Sequence, residues 1–229
     1  PKLLSINRSS LGYRPKPISP QTQLHVMRIL SMIFDHGLKY DLVARNPVKA
    51  VRKPKVQKAE IKTVPHQLLP DILRWLNEHS PSSVLPTLVA VLTGMRRGEV
   101  LGLKWSDIVL DNGQSFITVQ RSLVETGNHI EVNPTKTKAG SRRVELPSSL
   151  VAPLVEWKRE LREKWEILPS DTNGYVFGIP ITKRFPLRPG GLSLAFKRAV
   201  TALGHGDLNF HALRHTYATT LLEQGEHPL

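Results

Sequence analysis

Apolar residues recur at helical steps through most of the chain and at alternating steps through one central stretch. Ser19-Pro20 reads as an N-cap followed by proline at the first helical position. Val26, Ile29, Leu30, Ile33 and Phe34 then fall on one face, which predicts an amphipathic helix ended by Gly37. Leu69, Ile72, Leu73 and Leu76 mark a second helical face within residues 65–79, with Pro70 a place for the regular helix to begin. Residues 84–92 are apolar enough for a buried helix that Gly94 would end, and a short helix carrying Val100, Leu101 and Leu103 follows from Arg96.

The period then changes to two. Phe116-Ile117-Thr118-Val119, Ile130-Glu131-Val132 and Arg143-Val144-Glu145-Leu146 predict three short antiparallel strands, the first after an Asp111-Asn112-Gly113 turn. Beyond Pro147-Ser148 the spacing of Leu150, Leu154, Trp157, Leu161, Trp165 and Leu168 predicts a long helix. Residues 175–178 form a brief strand or an ordered turn. Leu192, Phe196, Val200 and Leu203 predict another helix after a Pro189-Gly190-Gly191 breaker, and a last one runs from about His211 to Gln224, capped by Asn209 and closed by Gly225. The pattern describes a mainly α protein with a small three-stranded antiparallel sheet.

A chain of 229 residues, 40% hydrophobic, can bury one sizeable core plus a smaller module. Residues 51–58 are basic and proline-punctuated, a linker composition that places a domain boundary near residue 58, with 1–57 a small helical piece plus linker and 58–229 the main domain. No apolar run reaches the roughly 18–20 residues of a membrane helix, and the N-terminus lacks a signal-peptide pattern. The expectation is a cytoplasmic protein with no membrane partner. The absence of cysteine excludes disulfides, thiolate zinc sites and cysteine nucleophiles. Thirty-two Lys+Arg against nineteen Asp+Glu give a net charge of +13 spread along the whole length, which points to a polyanionic partner.

On the last predicted helix His211 and Arg214 are three positions apart and share a face, in the first turn where free N–H groups and the helix dipole also favour an anion. Arginine is a planar clamp for a phosphate, and histidine exchanges protons near neutral pH. Tyr217 falls on the opposite face, with Leu213 and Leu221. Arg96 supplies a second guanidinium, and Glu99 is placed to orient it. Lys136 or Lys138, in the cationic loop 134–143 between the second and third strands, could reach such a site as a general acid. His211 and His215 have the spacing of a zinc pair, but Ala212 stands where a metalloprotease needs glutamate, so no metal site is expected.

Thr93-Gly94-Met95-Arg96-Arg97-Gly98-Glu99-Val100-Leu101-Gly102-Leu103-Lys104-Trp105-Ser106-Asp107 resembles the first conserved box of the tyrosine recombinases, the phage integrase family. His211-Ala212-Leu213-Arg214-His215-Thr216-Tyr217-Ala218-Thr219 resembles the second, and Thr135-Lys136-Thr137-Lys138 through Arg142-Arg143-Val144-Glu145-Leu146-Pro147 resembles the hairpin between them. The likeness covers about residues 62–229, while residues 19–57, with Ala44-Arg45-Asn46-Pro47 near their end, resemble the end of the family's helical, SAM-like core-binding domain. It implies an integrase catalytic-domain fold in which Arg96 and Arg214 hold the scissile phosphate, His211 acts in proton transfer and Glu99 supports. Lys136, in the commoner Lys-Thr pattern, is preferred to Lys138 for protonating the leaving 5′ oxygen. Lys138, Arg142 and Arg143 are read as DNA contacts.

The resemblance further implies duplex DNA as partner, strand exchange through a covalent 3′-phosphotyrosyl link without metal or high-energy cofactor, and a homo-oligomer, a tetramer, on DNA. In the family a Leu-Gly-His box and the nucleophilic tyrosine follow the second box, whereas this sequence stops at Leu229. Leu203-Gly204-His205 has the right letters on the wrong side of His211. The expectation is therefore a recombinase fragment that binds DNA and pre-forms the phosphate site but does not cleave. A non-catalytic DNA-binding remnant is the alternative, distinguished by reading the coding frame beyond Leu229, and a type IB topoisomerase is a further one, distinguished by supercoil relaxation without a defined site.

Overall fold

The computed structural model describes residues 17–56, 60–111, 114–134, 141–165, 174–178 and 186–225, apart from the side chains of Lys164 and Trp165. The chain divides into two units, Pro1–Glu60 and Ile61–Leu229.

In the first unit α1 spans Pro20–Lys39. Ser19 Oγ accepts from the Thr22 N–H at 3.2 Å and Pro20 occupies the first turn, so the helix starts where the cap chemistry predicts. Gly37 does not end it: the glycine lies inside the last turn, and the helix stops at Tyr40, before Asp41 adopts a left-handed φ of 51°. The Asn46-Pro47 interruption opens a 3₁₀ turn, Pro47–Ala50, that folds back on α1. Asn46 Oδ1 accepts from Val48 N at 2.9 Å while its amide donates to Asp35 Oδ1 at 2.9 Å and to the Ser31 carbonyl at 3.1 Å. Ile29, Leu30 and Ile33 of the apolar stripe are exposed, as is Met32 beside them, and no residue of α1 is buried among those described.

The second unit is mainly helical, with α2 (Leu69–His79), α3 (Val84–Thr93), α4 (Arg97–Leu101), α5 (Ser148–Trp165), α6 (Pro189–Ala202) and α7 (Ala212–Glu223). The helical stripes read from the sequence form its core: Ile72, Leu76, Leu150, Leu154, Leu161, Leu192, Phe196, Val200 and Leu213 are all buried. Pro189 is the first residue of α6, not a breaker before it, because proline has no N–H to lose there. At the other end Gly204, with a φ of 82°, lets His205 N donate to Val200 O at 2.7 Å and its own N donate to Thr201 O at 3.1 Å. The letters Leu203-Gly204-His205 thus belong to a helix stop. Among the described residues no helix is long and apolar enough to cross a membrane.

Among the described residues five strands make two antiparallel sheets, one of three strands and one of two. β1 (Ile108–Val109), β2 (Phe116–Val119) and β5 (Arg142–Glu145) pair in the order β1-β2-β5, and β3 (Arg121–Thr126) pairs only with β4 (His129–Pro134) among described strands. Val119 faces Arg142 in the first sheet, and Arg121 faces Pro134 in the second. β4 and β5 thus fall in different sheets, and the cationic loop expected between them, at 135–140, lies outside the described residues. Sequence alternation predicts a strand but not its partner, and β5 takes β2 instead of β4.

Residues 62–66 run across α7. Lys62 pairs with Asp207 at 2.7 Å, the Val64 N–H donates to the buried Thr216 hydroxyl at 2.7 Å, and His66 Nε2 lies 3.2 Å from Thr220 Oγ1. Val64 itself is buried.

Candidate active site

The site begins at the end of α3. That helix is nearly all apolar, so it is buried, and it stops at Gly94 because the chain turns there with a φ of 62°, a left-handed conformation natural to glycine. The turn tucks Met95 into the core and brings Arg96 out at the start of α4, its side chain 60% exposed. Three residues on, Glu99 is only 4% exposed. Its carboxylate reaches back to the Arg96 N–H at 2.8 Å and to Arg96 Nη1 at 2.9 Å, which directs the guanidinium. Arg142 Nη1 and Nη2 donate to the same carboxylate at 3.2 and 2.9 Å. Burial works to raise the Glu99 pKa, but the Arg142 hydrogen bonds, the Arg96 N–H and the charge of Arg142 outweigh it and hold the carboxyl below its ordinary range.

The second half comes from α7, 120 positions beyond Gly94 in the chain. Asn209 Oδ1 accepts from His211 N at 2.9 Å, an Asx turn that sets His211 at the helix's N-cap and Arg214 in its first turn. Leu213 and Thr216 anchor α7 inside the unit. Tyr217 lays its ring against Gly94, where a Cβ would stand 2.8 Å from Cε1 and closer still to Cδ1. Arg214 Nη1 donates to the Gly94 carbonyl. One glycine thus meets both the aromatic ring and the arginine of the distant helix.

These elements enclose a cavity of about 510 Å³ lined by Arg96, Arg97, Ser122, Asn209, His211 and Arg214, among others. A tetrahedral anion fits its chemistry, since the charged groups that line it are all cations or a titratable imidazole. Burial, and then the charges of His215, Arg214 and Arg96, hold His211 below the ordinary histidine value. Burial and the charge of Arg96 also lower Arg214, against the pull of Glu99, though a guanidinium stays protonated. An oxyanion in the cavity would place a negative charge beside His211 and favour its protonated form. Affinity should therefore rise as pH falls through the His211 titration, which burial and neighbouring cations hold below the ordinary histidine value in the empty cavity. Titration with sulfate, a tetrahedral anion that keeps its charge across this range, measures this: His211→Gln should show a flatter pH profile than the wild type, and an unchanged slope would refute the assignment.

A sequence model of the phage integrase family matches residues 62–228. The chain belongs to that family, the tyrosine recombinases. It is 31% identical to a XerC-like tyrosine recombinase of Caldanaerobacter subterraneus, an alignment covering 90% of this chain and 56% of the relative. It is 27% identical to the ICEBs1 integrase of Bacillus subtilis, over 91% of this chain and 56% of that protein. The chain thus spans a little over half the length of these relatives. Its fold is shared by the integrase of transposon Tn1549 in complex with circular-intermediate DNA, with a TM-score of 0.72 and 18% identity over 93% of this chain and 70% of that one. It is also shared by a lambda integrase tetramer bound to a Holliday junction, with a TM-score of 0.56 and 24% identity over 89% of this chain and 55% of that one.

Within this recombinase unit the residues singled out from sequence are distributed unevenly. Arg96, His211 and Arg214 line one cavity, and Glu99 sits behind Arg96. Lys136 and Lys138 lie outside the described residues. Arg142 is turned to Glu99, and Arg143 stacks its guanidinium over Phe116 at 4.0 Å from the ring centre while remaining exposed. The described tyrosines do not line the cavity: Tyr40 is in the first unit, Tyr175 lies under Lys104, and Tyr217 is against Gly94. Tyr13 is outside the described residues. Sequence reasoning passed over Arg97, which lines the cavity and is held by the Ser193 hydroxyl of α6. The doubled arginine at 96–97 was the available signal, but nothing local shows that α6 supplies its partner.

Proposed function

We propose that this chain binds duplex DNA and holds the scissile phosphodiester between Arg96 and Arg214 for strand exchange by a site-specific recombinase. The observation that carries the reading is the meeting of both guanidinium groups and His211 in one cavity built from two distant segments. Two arginines offset the negative charge that grows on the non-bridging oxygens as phosphorus becomes five-coordinate. In the reaction a tyrosine oxygen attacks phosphorus, a 3′-phosphotyrosyl bond forms and the bond to the 5′ oxygen breaks. Lys136 donates a proton to that leaving oxygen, and His211 exchanges a proton at the site. The phosphotyrosyl ester keeps the energy of the broken bond for rejoining, so no high-energy cofactor is consumed and no metal is called for.

Lys138 and Arg143 contact the DNA backbone in this reading, residues 1–57 are the end of a helical core-binding domain, and the protein works on DNA as a tetramer. The exposed apolar stripe of α1 suits a helix taken from a larger bundle. Because the described tyrosines lie away from the cavity, the 229-residue polypeptide binds DNA without cutting it. The test uses a nicked suicide duplex of binding-selected sequence. Full-length protein should trap a covalent 3′ adduct, and the 229-residue polypeptide should give none; an adduct from the shorter chain would overturn this part of the reading. Affinity should fall with salt at a slope of about −0.9 in log K for each phosphate neutralised, and salt-independent binding would contradict the electrostatic basis.

A further inference from the structure

Arg142 commits its guanidinium to a buried carboxylate of the same chain. Both terminal nitrogens grip Glu99, with Nη1 on Oε1 and Nη2 on Oε2, and the Arg142 side chain is 30% exposed. Neither Glu99 nor Arg142 lines the cavity. Arg96 shares the same carboxylate through Nη1, which leaves its Nε and Nη2 protons uncommitted to any described residue and available to a phosphate. A carboxylate gripped from one side by a fork cannot swing, so the direction it imposes on Arg96 is fixed from behind.

Arg142 is also a fixed point for the chain. It opens β5, opposite Val119 of β2, and it is the second described residue after the segment 135–140 that contains Lys136 and Lys138. One ion pair therefore ties α4, which follows Arg96, to the strand on which that lysine-bearing segment lands. We propose that Arg142 is a positioning residue for phosphoryl transfer, clamping Glu99 so that Arg96 and the start of β5 are registered on one buried carboxylate. The proposal rests on the phosphate role given to Arg96 above. Its pH signature follows from burial: with Arg142 gone, the raising effect of burial on Glu99 is opposed only by Arg96, so the carboxyl takes up a proton at higher pH than before and releases the Arg96 guanidinium.

Full-length protein carrying Arg142→Gln, Arg142→Lys or Arg96→Ala is compared with wild type on the nicked suicide duplex. Duplex affinity and the rate of covalent-complex formation are measured from pH 5 to 8. R142Q should bind within about threefold of wild type, because the Arg142 guanidinium is committed to Glu99, yet form the covalent complex about 10²-fold more slowly, the order of loss seen when a catalytic group is displaced by an ångström. Its rate should also fall more steeply on the acid side than the wild type's, in which Glu99 stays ionised. R142K keeps a positive charge beside Glu99 without the fork, so it should recover the wild-type pH profile but only part of the rate. Should R142Q fail to fold, R142K carries the test alone, through slow cleavage at unchanged affinity. A wild-type rate in R142Q, or loss of affinity and rate together at an unaltered pH profile, overturns the proposal and makes Arg142 inert or a DNA contact. Undiminished cleavage by R96A removes the phosphate reading beneath it, an outcome separate from either of those.

Discussion

Alanine at position 94 should destabilise the second unit by about 2–5 kcal/mol, the sum of a left-handed backbone forced on an L-residue and overpacking against an aromatic ring. The added methyl group would lie within 2.9 Å of three atoms of the Tyr217 ring, with no solvent to move into because Gly94 is buried. Relief requires α7 to retreat from α3, and α7 carries Arg214, which donates to the Gly94 carbonyl. The variant should therefore lose phosphate engagement as well as stability. Urea denaturation of the 229-residue chain reads the first effect. Pairing Gly94→Ala with Tyr217→Ala should give a non-additive sum, with at least about 1 kcal/mol of the clash recovered while the backbone strain remains. A loss below about 1 kcal/mol in the single variant, or strict additivity in the pair, would show that the ring does not press on the glycine as described.

Arg214→Lys should slow covalent-complex formation by about 10³-fold in full-length protein while leaving duplex affinity within a few-fold, since removing one preorganised donor to a developing oxyanion costs on that order. Lysine keeps the charge, but a single ammonium cannot both donate to the Gly94 carbonyl and present a planar pair of N–H groups to the phosphate. Single-turnover cleavage of the suicide duplex separates the two quantities. Cleavage within tenfold of wild type would mean that Arg214 contributes charge alone, and a matching fall in affinity would mean that it contributes binding alone.

The helices were legible because their information is local. Ser19-Pro20 states its own cap, and the stripes through Leu150, Leu154 and Leu161 or Leu192, Phe196 and Val200 hold their period without reference to anything distant. Sheet pairing is not local: alternation at 116–119 and 142–145 marks two strands, yet whether Val119 meets Arg142 or a residue of β4 depends on a segment whose path the pattern does not describe. Glycine misleads in the same way. Gly94 ends its helix with a left-handed φ of 62°, whereas Gly37 stays inside the last turn of α1, and the letter alone does not separate the two. The candidate site divides along this line. Arg96, Glu99, His211 and Arg214 stand out at short spacings, whereas the partnership of Arg142 with Glu99 spans 43 positions and that of Arg97 with Ser193 spans 96. A cation in a basic loop looks like a DNA contact until its own acid is found.

The strap across α7 lies at the edge of the recognisable unit. The family match opens at residue 62, where Lys62 meets Asp207 and two positions ahead of the bond between Val64 and the Thr216 hydroxyl. A polypeptide begun at Leu69, at the first regular helix, would keep every box residue and still lose the latch on the helix that presents Arg214. Five residues ahead of α2 hold the helix that carries Arg214, and any excised version of the second unit has to begin upstream of them.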